Sequence, residues 1–334
     1  MMTKKQVGND SDVLLVGETV CKQIVDPAAA FRAVESVFAA MANDQARNFP
    51  VVREPIGHAD AIYGFKSGFD KAGLTLGVKS GGYWPHNAEA GLTNHQSTIF
   101  LFDPDTGRLQ ALVGGNYLTA VRTAASSAVS IAHLARSDAR TIGIVGAGHQ
   151  STFQLRAAVA QRNFTRVVAW NKTPEHLSNL ARVADELGLE FIASSREALG
   201  EEADVIITIT SAFEPLLAAG VIRPGTHIAC MGTDTRGKQE LDPQIFVGAT
   251  VFTDEIAQSI SIGEAQHAVG SGLITEEDIT PIGKVISGAH AGRSGADEIT
   301  VFDGTGVGLQ DLAVASVAVE LAKAQGLAIR IALE

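Results

Sequence analysis

Cysteine is nearly absent: Cys21 and Cys230 are the only two in 334 residues. Two cannot build a disulfide framework, and neither stands in a metal-ligand spacing, so no metal site is expected. Cys230 lies in the apolar run Thr226-His-Ile-Ala-Cys-Met231, which marks a buried structural thiol rather than a nucleophile. Cations are also short. Lys and Arg number 26 against 37 Asp and Glu, a formal net charge of -11. That balance excludes a protein that lives on nucleic acid, because phosphate contacts need concentrated basic residues. Nowhere do about 18 apolar residues follow one another, so no membrane span is expected. Met1 to Ser11 carries basic residues with no apolar stretch behind them, and is read as a frayed extension rather than a secretory signal. The expected compartment is the cytoplasm. Internal repeats and low-complexity segments are missing too.

What is present is the composition of an ordinary globular protein, 46% hydrophobic and 19% charged, long enough for two cored domains. Up to about residue 124 one helix mixes with short strands. Asp26 can cap the helix and Pro27 fits its first turn, after which Phe31, Val34, Val37, Phe38 and Met41 recur at helical spacing. Strands are expected at Ala61–Phe65, Leu76–Ser80, Ser97–Phe102 and Leu109–Val113, with a hairpin turn at Asp103-Pro-Asp-Thr-Gly107. This favours a largely antiparallel sheet. Beyond residue 125 strand and helix alternate, with strands at Thr141–Val145, Arg166–Trp170, Glu190–Ala193, Asp204–Thr208, His227–Met231 and Thr250–Thr253. A helix from Pro174, with Thr173 as its N-cap, stops at Gly188. The tail Leu312–Leu333 reads as helix. The expected fold is α/β, a Rossmann-type doubly wound parallel sheet over 125–312. A second α+β domain, from 12–124 with 313–334, would serve substrate binding and dimerisation.

Gly146-Ala-Gly148-His-Gln-Ser151 follows the β-branched strand Thr141–Val145 and opens a helical segment. Gly146 permits the tight turn and Gly148 lets the backbone approach a pyrophosphate at the helix N-terminus. The third glycine of the usual fingerprint is absent; Ser151, a small residue, replaces it. Also absent is the acid that commonly ends the next strand to hold a ribose 2′-hydroxyl. Asn171 stands there, and the adjacent Lys172 either meets a 2′-phosphate or is a solvated turn residue. The cofactor is therefore NADH or NADPH, with the preference open.

Arg53, Lys79 and Arg122 are lone cations in apolar or small-residue surroundings. Buried cations need partners, so each marks either a carboxylate-binding site or a structural ion pair. Asp234 follows a strand at the carboxyl edge of the parallel sheet. It would exchange a proton with substrate if burial raised its pKa, with Lys79 sharing the role; otherwise it is a turn residue before Gly237.

In order along the chain, several segments resemble the ornithine cyclodeaminase/mu-crystallin family. They are the Arg53 segment, Gly77-Val-Lys79, Phe102-Asp-Pro-Asp-Thr-Gly107, Leu118-Thr-Ala-Val-Arg122-Thr and Gly146-Ala-Gly148-His-Gln150. Gly232-Thr-Asp234-Thr-Arg-Gly-Lys238-Gln-Glu240-Leu follows, then Gly304-Thr-Gly306 ahead of Gln310-Asp311. The resemblance implies a homodimer, with Arg53, Lys79 and Arg122 around a substrate carboxylate and Asp234 facing the reacting carbon and nitrogen. Cofactor contacts are expected from Gly146, Gly148, His149, Gln150, Asn171, Lys172 and Thr173, and from Thr210, Ser211, Gly232 and Gly306. Two positions depart from the family pattern, Arg236 where the cyclodeaminases usually carry proline and Gly304 where serine is common. Extra polar residues, among them Lys66, Tyr83, His86, Asn87, Asn94, His95 and Gln96, resemble the branch that reduces a dicarboxylate imine, iminosuccinate. Lys66, His95 or Arg236 would then meet the second carboxylate. The expected partner is a small imino-acid or 2-oxo-acid substrate. The competing functions are a cyclodeaminase that retains its NAD, a pyrroline-2-carboxylate reductase, and a non-catalytic NADPH-binding protein.

Overall fold

The computed structural model describes residues 12–333, so the extension expected at Met1 to Ser11 lies outside the described residues. The chain begins with β1 (Asp12–Val16), α1 (Glu18–Ile24) and α2 (Pro27–Ala42). Asp26 caps α2 by accepting the Ala29 N–H at 2.6 Å, Pro27 sits in the first turn, and Ala30, Val34, Val37 and Phe38 form the buried face. Six strands follow: β2 (Ala46–Asn48), β3 (Val52–Pro55), β4 (Ile62–Asp70), β5 (Thr75–Tyr83), β6 (His95–Phe102) and β7 (Leu109–Gly114). β4 to β7 pair antiparallel, as their alternation and turns predict. Asp103 makes the β6–β7 turn by accepting the N–H groups of Asp105 and Thr106.

α3 (Asn116–Leu134) leads into alternating strands and helices: β8 (Thr141–Val145), α4 (His149–Val159), β9 (Arg166–Trp170), α5 (Leu177–Glu186), β10 (Glu190–Ala193), α6 (Arg196–Glu202) and β11 (Val205–Thr208). Next come β12 (Phe213–Leu217), β13 (His227–Cys230), β14 (Gln239–Leu241), β15 (Ala249–Thr253), α7 (Ile256–Ser259) and α8 (Gln266–Gly270). The chain closes with β16 (Ile279–Pro281), α9 (Ile282–Ile286), β17 (Ile299–Asp303), α10 (Gly308–Ala324) and β18 (Ile329–Ala332).

The second sheet runs β10-β9-β8-β11-β13-β17-β15-β16, and every pair in it is parallel. Strand order reverses between β8 and β11, and ligands of open parallel sheets bind outside the carboxyl ends at such a point. The first sheet runs β18-β1-β7-β6-β5-β4-β2 with β3 on β4. Positions 124 and 125 both lie inside α3, and 312 and 313 inside α10, so two helices run between the sheets. Among the described residues no helix is long and apolar enough to cross a membrane.

Two local expectations need correction, and one long helix carried no local signal. The tail is not one helix: α10 ends at Ala324, Gly326 turns at φ 67°, and β18 pairs antiparallel with β1. Thr173 makes no side-chain cap; a 3-10 turn over Pro174–His176 precedes α5. α3 was not foreseen as a helix of 19 residues, because Ala, Ser and Thr line most of it and almost every residue from Leu118 to Ile131 is buried. A helix buried all round shows no apolar stripe.

Candidate active site

At the end of β8, Gly146 adopts φ 108°, and a Cβ there would come within 2.6 Å of the Ile209 carbonyl oxygen. The glycine loop thus lies directly against the segment leaving β11. Gly148 is different. It caps α4 with φ -77°, and a Cβ on it would meet nothing within 4 Å. Packing and backbone conformation leave this glycine unexplained, whereas an anion approaching the helix N-terminus needs that open space. His149 stacks on Phe153 with ring centroids 5.3 Å apart, and the Gln150 Oε1 is buried without a hydrogen-bond partner. Ser151 is buried and donates its hydroxyl to the Gly148 carbonyl at 2.8 Å, closing the turn the third glycine would have occupied.

The side chain of Asn171 is engaged at both ends, accepting the Ala147 N–H at 2.9 Å and donating to the Thr173 carbonyl at 2.7 Å. It staples the glycine loop instead of projecting free. Lys172 and Ser211 are exposed beside the loop. Thr210 and Gly232 are both tied to Glu240, and Gly306 turns at φ 76° against Arg122 and Lys66. The open space at Gly148 and the buried Gln150 Oε1 make the glycine loop a cradle suited to a dinucleotide. Gly148→Val should leave the melting temperature unchanged and abolish NADH binding in a fluorescence titration; unaltered affinity would remove the pyrophosphate from this loop.

Facing the cradle, a cleft opens on the first sheet, lined by Arg53, Lys66, Lys79, His95, Gln96, Arg122 and Asp234 among others. β4 and β5 place Lys66 and Lys79 directly opposite each other in register. Like charges at such a pair are destabilising without compensation. Lys79 finds it in Asp311, its Nζ 2.8 Å from Oδ2, while Arg122 Nε donates to Oδ1 at 2.9 Å. Among the described residues Lys66 has only backbone carbonyls as partners, Gly306 at 2.6 Å and Thr305 at 3.5 Å. Burial pulls the Lys79 ammonium down to about 7 and that of Lys66 to about 8, in both cases with the help of Arg122.

Asp234 is bracketed: Arg53 donates to Oδ2 at 2.7 Å and Lys238 to Oδ1 at 2.8 Å. Burial pushes its carboxyl up, but Lys238, Arg53 and Lys66 together outweigh burial and hold it well below the usual range. The raised pKa on which a proton-exchanging role for Asp234 depended is therefore absent. This is a carboxylate, suited to holding a cation rather than donating a proton. Lys79 is the neighbouring group near neutrality.

His95 lines the cleft, but burial drags its imidazole down to about 4, so it enters as a neutral donor and not as the cation expected. Arg236 is exposed and does not line the cleft. His86 and Asn87 also lie off the cleft: His86 meets Asp60 and Glu89, and Asn87 donates to the Thr93 carbonyl. Asn94 donates to the Tyr83 hydroxyl, which stacks near His95. Sequence reasoning gave no role to Lys238, Gln310 or Asp311, though all three stand in the quoted motifs. The i,i+4 spacing of Lys238 from Asp234 was the available signal.

A glycine loop at the switch point of a parallel sheet, brought up to a cation-lined cleft on a second sheet, defines a Rossmann-type protein handling a dinucleotide beside a small anion. The chain belongs to the ornithine cyclodeaminase/mu-crystallin family, whose sequence profile matches residues 10–326. It is 59% identical over 316 residues to the iminosuccinate reductase of Paracoccus denitrificans, spanning 95% of this chain and 98% of that protein. The crystal structure of that reductase with NAD+ superposes with a TM-score of 0.92 at 58% identity, covering 96% of this chain and 99% of the other. An archaeal alanine dehydrogenase dimer with bound NAD superposes at 0.91 with 29% identity, covering 97% and 100%.

Proposed function

We propose that the chain reduces iminosuccinate to L-aspartate with a nicotinamide dinucleotide, NADH or NADPH. The carrying observation is the charge of the cleft: four cationic side chains, Arg53, Lys66, Lys79 and Arg122, line it beside one carboxylate, Asp234, with Lys238 and Asp311 paired behind them. In a protein of net charge -11, that local surplus is suited to a dianion. The high identity to the Paracoccus reductase supports the same substrate.

The bound cofactor supplies a hydride to the imine carbon, and the remaining work falls to the protein. Arg53, Lys79 and Arg122 hold the carboxylate beside the imine, and Lys66 holds the distal one, with His95 as a neutral donor. The Asp234 carboxylate pairs with the protonated imine nitrogen, which favours the iminium over a neutral ketone. The incoming carboxylate competes for Arg53, so substrate entry frees Asp234 for that task. The first sheet is the proposed substrate-binding and dimer-forming part, the parallel sheet the dinucleotide-binding part. Exposed Phe49, Val52, Ile56 and Phe65 suit a homodimer, with a dimer mass in sedimentation as the check.

With NADH and ammonia, oxaloacetate should be turned over to aspartate well ahead of pyruvate or glyoxylate, followed by loss of nicotinamide absorbance. Ammonia release from ornithine without net oxidation, or faster turnover of pyrroline-2-carboxylate, would overturn this reading. A pH dependence accompanies it. Below about 7 Lys79 is an ammonium that can bind carboxylate, and above it the free enzyme loses that charge. Hence kcat/KM should fall as pH rises through about 7. The limit on kcat should lie at higher pH, because bound carboxylate stabilises the ammonium. Lys79→Arg should move the kcat/KM limb upward; an unmoved limb assigns it to another group.

A further inference from the structure

Between the glycine loop and Asp234 lie two glutamates that the chemistry above does not use. Glu240 on β14 and Glu264 between α7 and α8 are buried, at 0% and 1% exposure. Both oxygens of Glu240 are fully occupied. Oε1 accepts from the Thr210 backbone N–H at 2.6 Å and its hydroxyl at 2.7 Å. Oε2 accepts from the Thr208 hydroxyl at 2.7 Å and the Gly232 N–H at 3.0 Å. Thr210 packs against the glycine loop, its Cγ2 2.9 Å from where a Gly146 Cβ would stand. Gly232 precedes Asp234 by two residues. Glu264 takes the next step along the chain: Oε2 pairs with the Thr233 hydroxyl, and Oε1 accepts the N–H groups of Glu240 and Leu241 at 2.8 and 2.7 Å.

We propose that Glu240 and Glu264 are positioning residues, a buried clamp that sets Asp234 against the dinucleotide by fixing Thr210 on one side and Gly232-Thr233 on the other. The inference rests on the dinucleotide reading of the Gly146–Gly148 loop. The two members are not equivalent. Burial pushes the Glu240 carboxyl up, and the four donors it receives oppose that and favour its ionised form over that of Glu264. Two buried neighbouring carboxylates do not ionise together, and Cys230 and Asp303 beside them are acids as well. The proton therefore resides on Glu264, whose carboxyl burial and Glu240 push up to about 8. On Oε2 that proton can be donated to the Thr233 oxygen, leaving Oε1 for the two backbone N–H groups.

The test uses the full chain with NADH binding by fluorescence, kcat and KM with oxaloacetate and ammonia, and melting temperature. Glu240→Gln places an amide donor where an acceptor is required, and should raise the NADH Kd about tenfold and lower kcat by at least as much. Glu264→Ala should lower kcat about tenfold and leave the NADH Kd within about twofold. Glu264→Gln should restore most of that kcat, because an amide reproduces the protonated acid. If Glu240→Gln does not fold, Thr210→Val and Thr233→Val read the clamp's two arms separately, the first in NADH Kd and the second in kcat. The clamp is wrong if the glutamate variants lower only the melting temperature, or if Gln at 264 is no better than Ala. Wild-type chain that fails to bind NADH would instead remove the dinucleotide reading, and the clamp with it.

Discussion

Asp234→Asn should lower kcat on the order of 10²- to 10³-fold, for dicarboxylate and monocarboxylate substrates alike. That range is typical for removing one preorganised electrostatic partner from a water-excluded site. The reason lies in the two cations that bracket the residue. Arg53 and Lys238 keep Asp234 ionised, so the role proposed for it is that of a fixed negative charge beside the imine nitrogen. An amide of the same shape loses the charge and turns one of the two acceptors that face Arg53 and Lys238 into a donor. Because Arg53 is then released from its ion pair, KM should change little or fall, which separates this effect from lost carboxylate binding. The measurement is steady-state kinetics with oxaloacetate and pyruvate, each with ammonia. Retention of more than a tenth of wild-type kcat would show that Asp234 does not face the reacting nitrogen.

Lys66→Met should act on one class of substrate only. Lys66 touches two backbone carbonyls and no carboxylate, although Arg122 stands nearby and Lys79 lies directly across the strand pair. An ammonium kept in such company has its charge available for a ligand. Removing it should cost oxaloacetate plus ammonia about 2–3 kcal/mol in kcat/KM, roughly 30- to 150-fold, the worth of a charged hydrogen bond. Pyruvate, with no second carboxylate, should lose little. Lys66→Gln keeps a donor to the Gly306 carbonyl and lacks the charge, so it separates support of that loop from recognition of the distal carboxylate. Equal losses on oxaloacetate and pyruvate would mean that Lys66 merely holds Gly306 in place.

Much of the architecture was legible beforehand, where local chemistry decides conformation. Asp26-Pro27, the Asp103–Gly107 turn and the strand–glycine–helix passage at 141–151 each carry their own reason to fold as they do. The same holds for the strands Arg166–Trp170 and Glu190–Ala193, whose bounds match. Local signals failed where neighbours in space decide. α3 is small-residue helix buried on every side, and β18 is a strand because β1 offers it an edge.

The site divides along the same line. The cations at 53, 66, 79 and 122 and the carboxylate at 234 are residue identities: apolar or small-residue surroundings marked Arg53, Lys79 and Arg122, the place after a strand marked Asp234, and family likeness alone brought in Lys66. What each does with a proton depends on partners distant in sequence. Arg53, 181 residues from Asp234, joins Lys238 and Lys66 in reversing the effect of burial on it, and Asp311 is 189 residues from the Arg122 it neutralises. His95 is a cation by residue type and neutral by environment, because desolvation costs the charged form more than Asp234 returns. The sequence alone determined which groups the chain owns and the local turns that present them. Only the tertiary structure decided their charges, because a pKa is set by burial and by the field of neighbours that folding brings together.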